Sequence, residues 1–195
     1  GWNGLCIEAN PLYIPFLREH RKCTVIHSAI DETPNRTVDF EDNGAMGRIA
    51  NRNPSTRNPK VGKDRRKMKL IKIQTRTLGQ VLDTHCAPRV MDFLSLDVEG
   101  NELRVMKSFP FDRYQFNVMM IEGTDLDLGS LLKQNGYHWV NSVKLKYVGL
   151  VEQLWLHTSF LANLSAHKRR QVQTFRFQRI SAKRYKPRCL APSPD

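Results

Sequence analysis

Apolar and polar positions along this chain fall into short blocks that switch between two periods. Gly4–Glu8 (GLCIE), Thr24–Ile30 (TVIHSAI), Leu70–Thr75, Val90–Leu96 and Phe116–Ile121 (FNVMMI) are compact apolar runs that predict strands. Val90–Leu96 reads as a strand buried on both faces. Between these runs the apolar residues recur at helical spacing. Tyr13–Lys22 places Tyr13, Phe16 and Leu17 on one face, with Pro15 in the first turn, where a missing N–H is tolerated. Thr77–His85 with Thr77 as N-cap, Asn101–Phe109 stopped by Pro110, and Leu128–Asn135 followed by Gly136 predict three further helices. Tyr137–Val143 and Gln153–His157 predict an antiparallel pair, and Val38–Glu41 a short strand in an excursion that reaches Gly47.

Strand alternating with helix predicts an α/β domain: a mostly parallel sheet with helices on both faces, closed by an antiparallel hairpin. Its expected span is residues 1–157, with an exposed insertion at 51–69 and a basic tail at 158–195. Folds of this kind that bind nucleotides open with a strand and a Gly-rich turn. No such element precedes Gly4, so the chain enters the fold at its second strand, and the domain is expected to be N-terminally truncated.

The net charge of +12 over 195 residues is uneven. Residues 51–72 and 157–195 each carry nine Lys/Arg and one acid, which leaves the rest of the chain at −4. The two tracts could meet nucleic acid or an anionic surface, or stand solvated. No apolar run approaches the roughly 18 residues of a membrane span. Cys6, Cys23, Cys86 and Cys189 form no C-x-x-C pair and mark no disulfide framework; Cys6 reads as a small core residue. Six histidines share no metal-ligand spacing, and no metal site is expected. Asn163-Leu164-Ser165 is a glycosylation sequon that carries meaning only in a secretory context. Trp139 and Trp155 read as core aromatics.

Met91–Glu102 (MDFLSLDVEGNE) runs from water-avoiding residues straight into Asp97, Glu99 and Glu102 around Gly100. One reading is an acidic helix N-terminus. The other is delivery of carboxylates to the carboxyl edge of the sheet, where such folds bind ligands. Glu8 ends the GLCIE strand in the same way, and Glu122 ends FNVMMIE. An acid after the second strand suits the ribose hydroxyls of a nucleoside-bearing cofactor, or equally a cap on the next helix. Three carboxylates on one edge repel one another, so a compensating ligand or partner is expected.

Gly1–Pro11 (GWNGLCIEANP), the Arg18–Arg21 stretch, Met91–Glu102, Phe116–Glu122 and Asn135–Tyr137 (NGY) resemble the FkbM-type methyltransferases. The resemblance covers residues 1–157, with gaps at the basic insertion. It implies a class I, Rossmann-like three-layer sandwich that uses S-adenosyl-L-methionine, and methylation of a hydroxyl on a small molecule or glycan. By position, Glu8 would hold the ribose, with Ala9 and Asn10 beside it. Ser28, Ala29 and Ile30 would flank the adenine, and Asp97 would lie near the reaction centre. Glu99, Glu102 and Glu122 would be candidates to orient or deprotonate the acceptor. The family's first strand and Gly-rich turn have no match here. The alternative is a nucleic-acid or anionic-surface binding protein on a degenerate methyltransferase scaffold. A nicotinamide enzyme would also place an acid after the second strand, but the terminal hairpin and D-V-E-G-N-E argue against it.

Overall fold

The structure, a computed structural model, describes residues 3–50, 69–144 and 151–175. The expected insertion 51–69, apart from its last residue, and the tail beyond Phe175 lie outside them.

β1 (Leu5–Glu8) leads through a 3-10 turn (Pro11–Tyr13) into α1 (Ile14–His20). The predicted second strand is two pieces, β2 (Thr24–His27) and β3 (Ala29–Ile30), parted at Ser28. The Ser28 N–H donates to the Glu8 carbonyl at 3.1 Å, and its hydroxyl donates to the Gln74 carbonyl at 3.1 Å. The chain therefore changes strand partner at that residue. β4 (Thr37–Asp42) and β5 (Arg48–Ile49) follow, then β6 (Lys69–Arg76). α2 (Leu78–Thr84) starts from Thr77, whose hydroxyl accepts the Gln80 N–H while Gln80 reaches back to the Thr77 N–H in a full capping box.

β7 (Val90–Leu96) has the predicted bounds, and α3 (Glu102–Lys107) follows. β8 (Gln115–Glu122) precedes α4 (Leu126–Gln134), after which Gly136 turns the chain at φ +81°. β9 (Tyr137–Lys144) and β10 (Val151–His157) form the predicted antiparallel pair. The start of the expected tail is helical: α5 (Thr158–Asn163) and α6 (Ala166–Thr174).

The fold is α/β, but its sheets are mixed rather than mostly parallel. Three described pairings are parallel (β1–β2, β3–β6, β7–β8) and four antiparallel (β4–β5, β4–β6, β8–β10, β9–β10). Connection length explains the difference. Only six residues separate β3 from β4, too few for the helical crossover that parallel pairing requires. β10 then inserts antiparallel between β8 and β9, giving the order β7-β8-β10-β9.

Val81, Val105, Met106, Met119, Ile121 and Leu132 are fully buried in the main core. A smaller cluster of Ala29, Val38, Phe40, Ile49 and Ile73 packs beneath β4–β6. β7 is not buried on both faces as its composition suggests. Among the described residues it has β8 on one side only, and Val90 and Phe93 are 54% and 45% exposed. β1 likewise pairs only with β2 among the described residues. Trp155 is core, whereas Trp139, on the edge strand β9, is half exposed.

Cys6 also departs from expectation: it forms a disulfide with Cys23, Cα–Cα 5.8 Å. Parallel pairing of Leu5 with Thr24 brings the two cysteines side by side. The contact depends on strand register, which their spacing of 17 residues does not reveal.

Candidate active site

The C-terminal ends of β1 and β7 open onto one cavity of about 200 Å³. Its lining brings together Glu8 and Ala9 after β1, Ser28–Ile30, and Asp97–Glu99 after β7. The β4–β5 excursion supplies the opposite wall with Phe40, Gly44, Arg48 and Ile49. Three expected residues, Asn10, Glu102 and Glu122, lie off the lining. Asn10 is 1% exposed and works as a brace: its Oδ1 accepts the Leu12 N–H at 3.0 Å, and its Nδ2 donates to Asp42 at 2.8 Å. Glu122 sits deeper, at the end of β8.

One oxygen of Glu8 accepts the Asn10 N–H at 2.6 Å, which fixes the strand-to-helix turn and leaves the second oxygen without a bond of this kind among the described residues. Ser28, Ala29 and Ile30 are buried as the cavity floor. The Ile30 carbonyl accepts from Nδ2 of Asn101 at 2.9 Å. Asn101 also lines the cavity, and its Oδ1 is buried with no hydrogen-bond partner among the described residues. A buried acceptor left bare is costly.

The turn after β7 is wound through two left-handed residues, Glu99 (φ 54°) and Gly100 (φ 94°). For glutamate this conformation is uncommon and strained. Glu102 holds it in place: one carboxylate oxygen accepts the Val98 N–H at 3.0 Å and the Gly100 N–H at 3.2 Å. Glu102 is thereby a lock on the turn, and Glu99 is the carboxylate the turn presents to the cavity.

The acids crowd one another. Burial, helped by Asp97 and Glu102, pushes Glu99 up to about 7, against a smaller opposing pull from Arg48. Burial and a hydrogen bond to Asp97 hold Glu122 well above the usual carboxylate range. Glu102 is also raised, mainly by burial and against its backbone hydrogen bonds, and Glu152, opposite Glu122 in the β8–β10 ladder, is raised by burial and by Asp97 and Glu102. Asp97, Glu102 and Glu122 each place an oxygen within 4.8 Å of the others, a set that could hold a hard divalent cation. A cation there needs all three ionised, and the proton favoured on Glu122 competes with it.

Behind the turn, Asp31 is completely buried; it accepts from Arg104 Nε at 3.1 Å and from Asn101 Nδ2 at 3.3 Å. Arg104 also pairs with Glu32 at 2.5 Å. Neither Asn101 nor the Asp31–Arg104 pair was legible beforehand, because contacts across about 70 positions leave no local signal. The His residues form no cluster with the acids among the described residues.

Strand-end carboxylates gathered around a cavity at the carboxyl edge of the strands are the arrangement in which α/β folds bind ligands. The family model of the methyltransferase FkbM domain matches residues 1–138, more than half of the chain, and the chain belongs to that family. No curated protein and no solved structure gives a significant match. Membership makes methyl transfer the activity expected of this fold.

Proposed function

We propose that this domain transfers a methyl group from S-adenosyl-L-methionine to a hydroxyl of a small molecule or glycan. The observation that carries this reading is the shared cavity in which Glu8, Ser28–Ile30 and Asp97–Glu99 converge. The second oxygen of Glu8 suits the ribose hydroxyls, and the chain at Ala9 and the floor at Ser28–Ile30 suit the flat base. When bound, the sulfonium supplies an already activated methyl group, so the protein's task is mainly alignment.

Glu99 is the best-placed base. It faces the cavity, and its value of about 7 lets it take a proton from an acceptor hydroxyl near neutral pH. Burial and the neighbouring Asp97, itself in the wall of the cavity, favour the protonated form of Glu122.

The cradle fits one side of the cofactor better than the other. A cavity of about 200 Å³ lies below the roughly 300 Å³ at which small-molecule sites begin. The described residues contain no Gly-rich turn between a first strand and a helix. In a doubly wound sheet of order 3-2-1-4 the first strand lies between the second and the fourth. β1 and β7 would correspond to those two, and each has one unpaired edge among the described residues. A parallel strand between them, ending in such a turn, would complete the methionine side and restore the Rossmann-like sandwich.

Calorimetric titration of the full-length protein with S-adenosylmethionine and with its demethylated product tests the reading. Binding that Glu8→Gln weakens supports it, and absence of binding to the full-length protein sinks it.

One observation favours a second reading, binding to nucleic acid or an anionic surface. Lys168, Arg169 and Arg170 stand exposed together on α6, which buries no residue. Steeply salt-dependent RNA binding, lost when all three are neutralised and unaffected by Glu8→Gln, would favour it.

A further inference from the structure

We propose that this chain matures in an oxidising, secretory-type compartment, where Asn35 and Asn163 each carry an N-linked glycan. Three observations meet here, and none depends on the catalytic reading.

The first is the Cys6–Cys23 disulfide, which ties β1 to the entry of β2. Structural disulfides form and persist in oxidising compartments and are rare where thiols are kept reduced. The bond supplies the context without which an Asn-x-Ser/Thr sequence means little.

The second is the placement of the sequons. Asn163-Leu164-Ser165 occupies the joint between α5 and α6, where Leu164 (φ −75°, ψ 144°) and Ser165 (φ −59°, ψ 155°) are extended and Asn163 is exposed. Asn35-Arg36-Thr37 occupies the turn between β3 and β4, and all three of its residues are exposed. Asn35 adopts the left-handed φ of 58° that marks a tight surface turn. Acceptor sites of this kind belong on surface loops. A third Asn-x-Ser, Asn53-Pro54-Ser55, carries proline in the middle and is excluded.

The third is the state of the carboxamides. Asn10, Asn101, Asn135 and Asn141 all use their Nδ2 as donors inside the fold. Neither Asn35 nor Asn163 commits its side chain to a hydrogen bond among the described residues. A sugar on either one breaks no contact of the folded domain. The step replaces one Nδ2 hydrogen with a bond to the anomeric carbon of an oligosaccharide donated from a lipid diphosphate. The bond from that carbon to the diphosphate oxygen breaks, and the diphosphate leaves while the amide proton passes to base.

The test expresses the full coding sequence that contains this chain in eukaryotic cells, with and without peptide N-glycosidase treatment. The expected result is two steps of gel mobility, one lost in Asn35→Gln, the other in Asn163→Gln, and both removed by the glycosidase. Thr37→Ala and Ser165→Ala should each reproduce the loss at their own site, which separates missing sugar from a change in the asparagine itself. Non-reducing peptide mapping should recover Cys6 and Cys23 in one linked pair. Free thiols at both cysteines would overturn the compartment, and an unmodified asparagine in a disulfide-linked product would overturn the glycan at that site.

Discussion

Asp97 and Glu122, at the ends of the neighbouring parallel strands β7 and β8, place carboxyl oxygens within 4.8 Å of each other. Burial first, and then the neighbouring Asp97, favour a proton on Glu122. The folded state therefore holds protons here that the unfolded chain releases. For an acid raised on folding, the stabilisation is full below the unfolded value and is lost as pH rises through the folded one. Glu99 titrates over the window from 4.5 to about 7, and Glu122 continues the loss above it. The melting temperature should fall as pH is raised from about 5 to about 8. Glu122→Gln keeps a donor toward Asp97 without the titration, so it should flatten the upper part of that slope. A melting temperature that climbs with pH across this window would refute the proton on Glu122.

Glu99 has the exposure, position and proton affinity of a base. Glu99→Gln should lower kcat by about 100- to 10,000-fold while leaving cofactor affinity within error. In the unmodified enzyme, kcat/KM should rise with ionisation near pH 7, and that limb should vanish in the variant. A drop in cofactor affinity with kcat intact would reassign Glu99 to binding. The left-handed backbone adds a check on folding: Glu99→Asn, which tolerates φ 54° better, should melt no lower than the parent.

Glu8 holds its own turn with one oxygen and offers the other to the cavity. Glu8→Gln retains an oxygen for the Asn10 N–H but loses the charge, so fold and function separate. Affinity for S-adenosylmethionine should fall by about 10- to 100-fold, the scale of one charged hydrogen bond. The melting temperature in the absence of ligand should stay within a degree or two. Equal affinity in parent and variant would remove Glu8 from the ribose site.

What the chain showed in advance divides along the range of the interactions. Val90–Leu96 and the Thr77 cap are settled by neighbours within a few positions, and both stand where the pattern placed them. The direction of β4 was not readable: Val38–Glu41 has strand composition, but pairing is set by the short connection behind it. Composition misled at β7, since an apolar run signals burial only if something packs on both of its faces, and Phe93 stands 45% exposed. The acids after β1 and β7 were visible as strand endings. That Glu102 would lock the turn while Glu99 faced the cavity depends on a backbone winding at Glu99 and Gly100 that residue type alone does not specify.

Cys6 and Cys23 close a loop around the 3-10 turn and α1, the segment that carries Glu8 into the cavity. Two-stranded pairing of β1 with β2 offers little independent stability, and the bond restrains the unfolded chain across 17 positions. Replacing both cysteines with alanine should cost about 3 kcal/mol by chemical denaturation. Reductant should lower the parent's midpoint toward that of the variant and leave the variant unmoved, which isolates the bond from any effect on Cys86. Because Glu8 rides on the tethered strand, cofactor affinity should weaken on reduction before the main core, centred on Met106 and Ile121, unfolds. Hydrogen exchange gives the decisive comparison: on reduction, amides of Leu5–Glu8 should lose protection well ahead of those of Phe116–Ile121. Simultaneous loss in both would mean that β1 and the core open as one unit, with the disulfide adding stability but no local control of the cavity.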